Sequence, residues 1–342
     1  MKFRYLLGVL VSVFMLLFIS CAIQDSASSK KEMSLARQKL ESMEIAFTEQ
    51  SFIDCSRAGN IEAMKLFLQA GINVNSNQNE TPLTSTVRAN NYDATKFLLD
   101  HGADVNLASY WETPIGVASY NGFDKIAELL IKSGADVNTL AKDGMTPLTN
   151  AIITKRPTMV ELLLNSGANP NYELPDTGET PLIIAARYGN NKIVELLVAD
   201  GANLNSKDDG KMSALDWAIT NKYWDCSATL INKGAFVNDG DKSSRPMLLV
   251  MVSKKFDIAD MLIAKGENIN SLAYNTMPLV VWCAKNNNYE AVKYLISKGV
   301  RINKRDASGQ NALDYAILNK DQPMIDILKA VKPEIKPKVP QL

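Results

Sequence analysis

The sequence predicts an all-α fold in which short helix hairpins stack one on the next as a solenoid with short hairpin loops. Three observations carry this. Glycines recur at Gly71, Gly102, Gly134, Gly167, Gly201, Gly234, Gly266 and Gly299, in steps of 31, 32, 33, 34, 33, 32 and 33 residues. An asparagine closes each unit, running from Asn75 through Asn106, Asn138, Asn171, Asn205, Asn238 and Asn270 to Asn303. Each interval holds two short apolar segments, and neither could bury its apolar face without a like neighbour on both sides.

Thr180 to Asn205, TPLIIAARYGNNKIVELLVADGANLN, shows the unit in full. Thr180 can cap free helix amides, and Pro181 suits the first helical position. Gly189 breaks that helix. Ile193, Val194, Leu196 and Leu197 then share one side of a second helix, which Gly201 ends in a left-handed turn.

In chain order, residues 1–20 read as an export signal. Lys2 and Arg4 precede an apolar run from Tyr5 to Ile19, which ends in Ser20 and Cys21. Phe18-Ile19-Ser20-Cys21 resembles the lipobox of bacterial lipoproteins, with Phe18 where Leu is usual, and the resemblance implies lipidation of Cys21. Two alternatives stay open, a plain cleaved signal and an uncleaved anchor, because Tyr5 to Ile23 is just long enough to span a bilayer. Residues 21–31 are the lipidated Cys and a Ser-rich flexible tether. Residues 32–50 predict one capping helix, with Met33, Leu40, Met43 and Phe47 on a single stripe covering the first hairpin.

Residues 51–330 form the repeat array. Openings at Thr81-Pro82-Leu83, Thr113-Pro114-Ile115, Thr146-Pro147-Leu148 and Thr180-Pro181-Leu182 decay to Ser213-Ala214-Leu215, Arg245-Pro246-Met247, Met277-Pro278-Leu279 and Asn311-Ala312-Leu313. A period near 33, T-P-L at the opening and G-A-x-x-N at the close resemble the ankyrin repeat family, over residues 51 to about 330. Nine helix pairs are expected, the first and last atypical. The family often carries His after T-P-L as a brace between loops; here those places hold Thr84, Gly116, Thr149, Ile183, Asp216, Leu248 or Val280, and Asp314. The turn matching Gly189 keeps Gly at Gly59 and Gly122 but becomes Asn90, Lys155, Lys222, Lys254, Asn287 and Lys320, which makes residues 208 to 303 the weaker half. Residues 331–342 read as a solvated, Pro- and Lys-rich disordered tail.

Composition excludes several functions. Among 342 residues, 37 basic side chains balance 37 acidic ones, so nothing electrostatic points to nucleic acid. Phosphate-loop, C-x-x-C, G-x-S-x-G and H-E-x-x-H motifs are missing. The sole histidine, His101, sits at a helix end, where it complements the dipole. Asp208, Asp209, Asp239 and Asp241 are explained by turns. Cys55, Cys226 and Cys283 read as isolated core thiols. No enzyme activity, cofactor or metal is expected.

What remains is a surface. The resemblance implies protein binding along a concave side, through interrepeat fingers and the exposed ends of first helices. Carried onto this chain, it singles out Tyr110, Trp111, Tyr120, Met145, Ile153, Arg187 and Tyr188 as partner-binding, since aromatic residues and Arg dominate interface energetics. Trp217, Trp224 and Trp282 are expected in the core. The expected protein is a monomeric interaction module or scaffold, membrane-anchored by its N-terminal lipid in a bacterial cell envelope, facing periplasm or exterior, with a protein partner of unknown identity. The alternative is a surface-exposed envelope protein that contacts host or matrix material.

Overall fold

The computed structural model describes residues 29–110, 112–237, 246–274 and 277–331. Residues 1–28, with the expected signal and Cys21, lie outside the described residues, as do Trp111, Asp239, Asp241, Arg245 and residues 332–342. The described residues hold nineteen helices and one two-stranded hairpin, the all-α, ankyrin-like repeat fold expected. They fall into two units that divide after Ala168.

The first unit opens with α1 over 29–42. Four hairpins follow: α2 (Glu49–Ala58) with α3 (Ile61–Gln69), α4 (Pro82–Arg88) with α5 (Tyr92–Asp100), α6 (Pro114–Asn121) with α7 (Asp124–Lys132), and α8 (Pro147–Ile153) with α9 (Pro157–Asn165). First helices pack on first helices along α2, α4, α6 and α8, and second helices pack on second helices along α5, α7 and α9. The second unit has five hairpins: α10 (Pro181–Arg187) with α11 (Asn191–Ala199), α12 (Ala214–Thr220) with α13 (Trp224–Lys233), α14 (Pro246–Val252) with α15 (Phe256–Ala264), α16 (Leu279–Lys285) with α17 (Tyr289–Ser297), and α18 (Ala312–Leu318) with α19 (Gln322–Lys329). Between α15 and α16, β1 (Leu272–Tyr274) pairs antiparallel with β2 (Met277–Pro278) as a short finger.

The core repeats with the sequence. Four residues before each closing glycine stand Phe67, Leu98, Leu130, Leu163, Leu197, Leu230, Leu262 and Leu295, and every one is 0% exposed. Each such burial contributes roughly 1.5–3 kcal/mol. The T-P-L openings work as caps: the hydroxyls of Thr81, Thr113, Thr146 and Thr180 accept the amides of Thr84, Gly116, Thr149 and Ile183 at 3.1, 3.3, 3.1 and 3.4 Å. In two of the decayed repeats a reciprocal pair replaces it. Ser213 with Asp216, and Asn311 with Asp314, each form a capping box.

The closing asparagines explain themselves in the same way. Asn75, Asn106, Asn138, Asn171, Asn205 and Asn270 each turn locally on the residue two before and then reach along the stack. Asn75 accepts from the Asp104 amide at 2.8 Å and Asn106 from Asp136 at 2.8 Å. In the second unit, Asn171 accepts from Asn203 at 2.7 Å, Asn205 from Phe236 at 2.7 Å and Asn270 from Arg301 at 2.8 Å. This ladder, with the finger bonds from Tyr110 N to Asn79 O and from Asp209 N to Thr177 O, ties successive loops without histidine. The polar residues in the histidine place bond within their own repeat instead: Thr84 Oγ1 lies 2.8 Å from Thr81 Oγ1, and Thr149 Oγ1 donates to Thr146 O at 2.9 Å.

Three expectations need correction. The 32–50 segment is not one helix, because α1 stops at 42, Glu44 takes φ 59°, and Thr48 caps a new helix by accepting Ser51 N at 3.0 Å. The stripe of α1 is Met33, Ala36 and Leu40; Met43 is 37% exposed, and Phe47, beyond the helix, stacks on Phe67 at 5.7 Å. Arg37 clamps this joint from above, its guanidinium 4.3 Å from the Phe47 ring centre. Trp217, Trp224 and Trp282 are half-buried rather than core; Trp217 is held by its ring nitrogen to Asp208, and Trp224 is the first residue of α13. Cys226 and Cys283 are buried and free as expected, whereas Cys55 is only half-buried.

The turn substitutions are as read. Asn90, Lys155, Lys222, Lys254, Asn287 and Lys320 all take positive φ, between 54° and 63°. A lysine there costs on the order of 1 kcal/mol relative to glycine. Glycine is kept at 189 for a further reason: a Cβ would lie 2.4 Å from the Tyr223 ring.

Candidate functional site

The sequence-predicted surface residues fall in both units. In the first, the residue two before each hairpin turn runs Arg57, Arg88, Tyr120, Ile153 at the ends of α2, α4, α6 and α8. The first half of this row is closed by charge. Arg57 Nη2 donates to Glu80 at 2.6 Å, Arg88 Nε donates to the same carboxylate at 3.0 Å, and Arg88 Nη2 donates to Glu112 at 3.1 Å. Arg88 is held between the fingers on either side of it, and Arg57 between Asp54 of its own helix and the Glu80 finger. These guanidinium charges are satisfied within the fold.

The second half of the row is open. Tyr120 is 50% exposed, and Ile153 at the last residue of α8 is half-buried. Beside them stand the fingers. Tyr110 is 54% exposed, and the Lys142 ammonium lies 4.1 Å from its ring centre. Leu140, 51% exposed, and half-buried Met145 flank Lys142 on the following finger. That finger is stiff: Ala141 and Met145 bond backbone to backbone at 2.9 Å, and Met145 N donates to Asp143 at 3.0 Å. Tyr110, Tyr120, Met145 and Ile153 thus lie on the finger and helix-end rows of one unit; Trp111 lies outside the described residues.

Arg187 and Tyr188 belong to the second unit and are more committed than expected. Arg187 Nη2 donates to Glu179 at 3.0 Å, while Nε, 2.7 Å from the other carboxylate oxygen, is buried with no aligned acceptor. The guanidinium lies over the Tyr188 ring at 4.9 Å and the Trp217 ring at 5.8 Å. Trp217 Nε1 in turn donates to Asp208 at 2.7 Å, whose other oxygen accepts the Met212 amide at 2.8 Å. Arg187 therefore braces Tyr188 and Trp217, and only 32% of its side chain is exposed.

Sequence reading missed this wiring, although a signal was present. Glu precedes Thr-Pro at Glu80, Glu112 and Glu179, with Arg eight residues beyond the first and last of these. In the decayed repeats, Asp stands nine residues before a helix aromatic instead, as Asp208 before Trp217 and Asp306 before Tyr315, whose hydroxyl donates at 2.7 Å. That bond holds the Asp306 carboxyl below its ordinary pKa and raises the Tyr315 phenol.

His101 caps α5, its Nδ1 2.7 Å from Phe97 O and its ring 4.1 Å from the Phe97 ring. Burial pushes the Cys226 thiol up to about 11 and the Cys283 thiol up to about 12, away from nucleophilic thiolate chemistry. Among the described residues, no group of His, Cys, Asp and Glu is placed to hold a metal, and no helix is long and apolar enough to cross a membrane.

Comparison with known proteins agrees with the geometry. The chain is 28% identical over 231 residues to an ankyrin repeat and KH domain-containing protein, mask-1, of Caenorhabditis elegans, covering 66% of this chain and 9% of that protein. It is 31% identical over 148 residues to the glycerophosphocholine phosphodiesterase gde1 of Schizosaccharomyces pombe, covering 42% and 13%. It is 28% identical over 214 residues to Rabankyrin-5 of Mus musculus, covering 56% and 18%. The chain thus spans under a fifth of the length of each of these relatives. A family profile for ankyrin repeats matches residues 43–109, 108–174, 170–241 and 247–339, most of the sequence, so the chain belongs to the ankyrin repeat family.

Proposed function

We propose that this chain is a non-enzymatic protein-binding module of a bacterial cell envelope, anchored by lipid on Cys21 and displaying its repeats to the periplasm or the exterior. Ankyrin repeats imply protein partners, and one observation carries the placement of the contact. Tyr110 and Tyr120 are about half exposed on elements otherwise locked by the Asn ladder and the Arg57–Glu80–Arg88–Glu112 chain. Large aromatic groups on a pre-ordered scaffold bind without a large ordering penalty. Met145, Ile153, Arg187 and Tyr188 are the further proposed contacts, with Arg187 acting by holding Tyr188 in place. The envelope location rests on Lys2, Arg4, the apolar run and Phe18-Ile19-Ser20-Cys21. The family profile begins at residue 43, beyond this leader.

Affinity capture from crosslinked cells tests the contact. Changing Tyr110 and Tyr120 together to Ala is expected to reduce the captured partner at least about tenfold, as for interface anchors generally. Helical circular dichroism should stay unchanged; undiminished capture would remove this surface. Metabolic labelling with an alkyne fatty acid tests the anchor: wild type should label and Cys21→Ser should not. Protease shaving of intact cells then separates a periplasmic array from one facing host or matrix material.

A further inference from the structure

The second unit carries a row of cations that its backbone disfavours. Lys222, Lys254 and Lys320 occupy the same hairpin turn of three repeats at φ 63°, 56° and 55°, where glycine serves elsewhere in the chain. All three are exposed. Lys285, two residues before the intervening turn, lies 4.9 Å from the Tyr315 ring centre and adds a fourth ammonium to the row. Lys222 and Lys320 have no carboxylate within ion-pair distance among the described residues, and Lys254 meets only Glu290 at 2.8 Å, both side chains being 58% exposed. Such an exposed pair exchanges readily for another carboxylate. A strained conformation kept at one structural position points to a use for the side chain rather than for the turn.

Beside Lys254 the surface is hollow. Val252, Trp282, Asn286 and Tyr289 line an open pocket of about 400 Å³. Val252 is 46% exposed, and the Asn286 amide is already spent on Trp282 O at 2.8 Å. The Tyr289 hydroxyl is likewise held, donating to Asp321 at 2.8 Å. Val252, Trp282 and the Tyr289 ring supply the apolar part of its wall, Lys254, Glu290 and neighbouring asparagines its polar rim, and its size suits one large side chain.

Resting on the protein-binding reading above, we propose that this groove takes an extended acidic segment of a partner protein, with carboxylates on the lysine row and one apolar side chain in the Trp282 pocket. Successive repeats advance by roughly 8–10 Å, and an extended chain rises about 3.3 Å per residue. Acidic residues about three apart match that spacing. A flat anionic membrane would meet the lysines but leave the pocket empty, so the pocket favours a polypeptide.

The test uses the full chain in detergent micelles and fluorescence anisotropy. The probe is a fluorescein-labelled peptide of about twelve residues with Glu at every third position and one central Trp. A second peptide carries Gln for each Glu. The variant is Lys222→Gly, Lys254→Gly and Lys320→Gly combined, which relieves the turns and so preserves folding. Expected is saturable binding of the acidic peptide, at least about tenfold weaker for the triple variant and for the Gln peptide, with a raised melting temperature for the variant. Trp282→Ala should weaken the acidic peptide but leave its salt dependence. No binding, equal binding of both peptides, or equal affinity of wild type and triple variant would overturn the proposal. So would lysine-dependent binding to phosphatidylglycerol vesicles without peptide binding. Loss of this groove alone leaves capture through Tyr110 and Tyr120 unaffected, so the two readings fail separately.

Discussion

At the scale of single residues, the turn lysines and the buried thiols give opposite lessons. Lys155 takes φ 56° as the first turn lysine in the chain. Lys155→Gly should therefore raise stability by about 1 kcal/mol, seen as a higher urea midpoint at unchanged slope; a lower midpoint would mean that the lysine makes a contact outweighing its strain. The thiols of Cys226 and Cys283 are pushed from 9.0 up to about 11 and about 12 by burial. Their unfolded forms ionise first as pH rises, so the folded state binds more protons there. Their contribution is complete below about pH 9 and is lost as pH rises toward 11 and 12. Melting curves from pH 8 to 11 should show alkaline loss of stability, reduced in Cys283→Ala relative to its own value at pH 8. The turn lysines were legible because glycine periodicity marks the position. The Asp208–Trp217 bond was passed over, because its nine-residue offset recurs only at Asp306 and Tyr315 and not in every repeat. For the same reason Trp217 read as core when it is half-buried and tied by its ring nitrogen.

At the scale of elements, what the sequence made plain was whatever repeats. Eight closing glycines, four Thr caps and nine hairpins stand where the period placed them among the described residues. The exception is instructive. The cap expected at 32–50 divides into α1 and the start of α2, because Glu44 turns the chain at φ 59° and the Thr48 hydroxyl starts a helix rather than continuing one. The corrected joint makes its own prediction. Leu40 is fully buried on α1, and Gly71 has so little room that a Cβ would lie 2.4 Å from the Met33 methyl. Leu40→Ala should cost about 2–4 kcal/mol and raise hydrogen exchange in α2 and α3 more than in α8 and α9. Equal effects on both pairs would show that α1 is not a local cover.

At the scale of the whole molecule, stability in a stacked array is the sum of each repeat and its contacts with immediate neighbours, so weakness can be regional. Residues 77 to 171 carry three Thr-capped, Pro-opened helices, α4, α6 and α8. Among the described residues, 208 to 303 hold none of this kind. There α12 relies on Ser213 with Asp216, and α16 begins at Pro278 with no side-chain cap. Lys222 and Lys254 add strained turns to the same stretch, each on the order of 1 kcal/mol, and a lost cap costs a similar amount. The buried leucines do not offset this, since Leu230, Leu262 and Leu295 are buried no more deeply than Leu98, Leu130 and Leu163. Native-state hydrogen exchange should therefore show α12 to α17 opening at lower free energy than α4 to α9. Lys222→Gly with Lys254→Gly should slow exchange in α12 to α15 while leaving α4 to α7 unchanged. If α4 to α9 open first, the packing of the long apolar runs in α14 and α16 outweighs caps and turns, and turn chemistry loses its standing as the source of regional weakness.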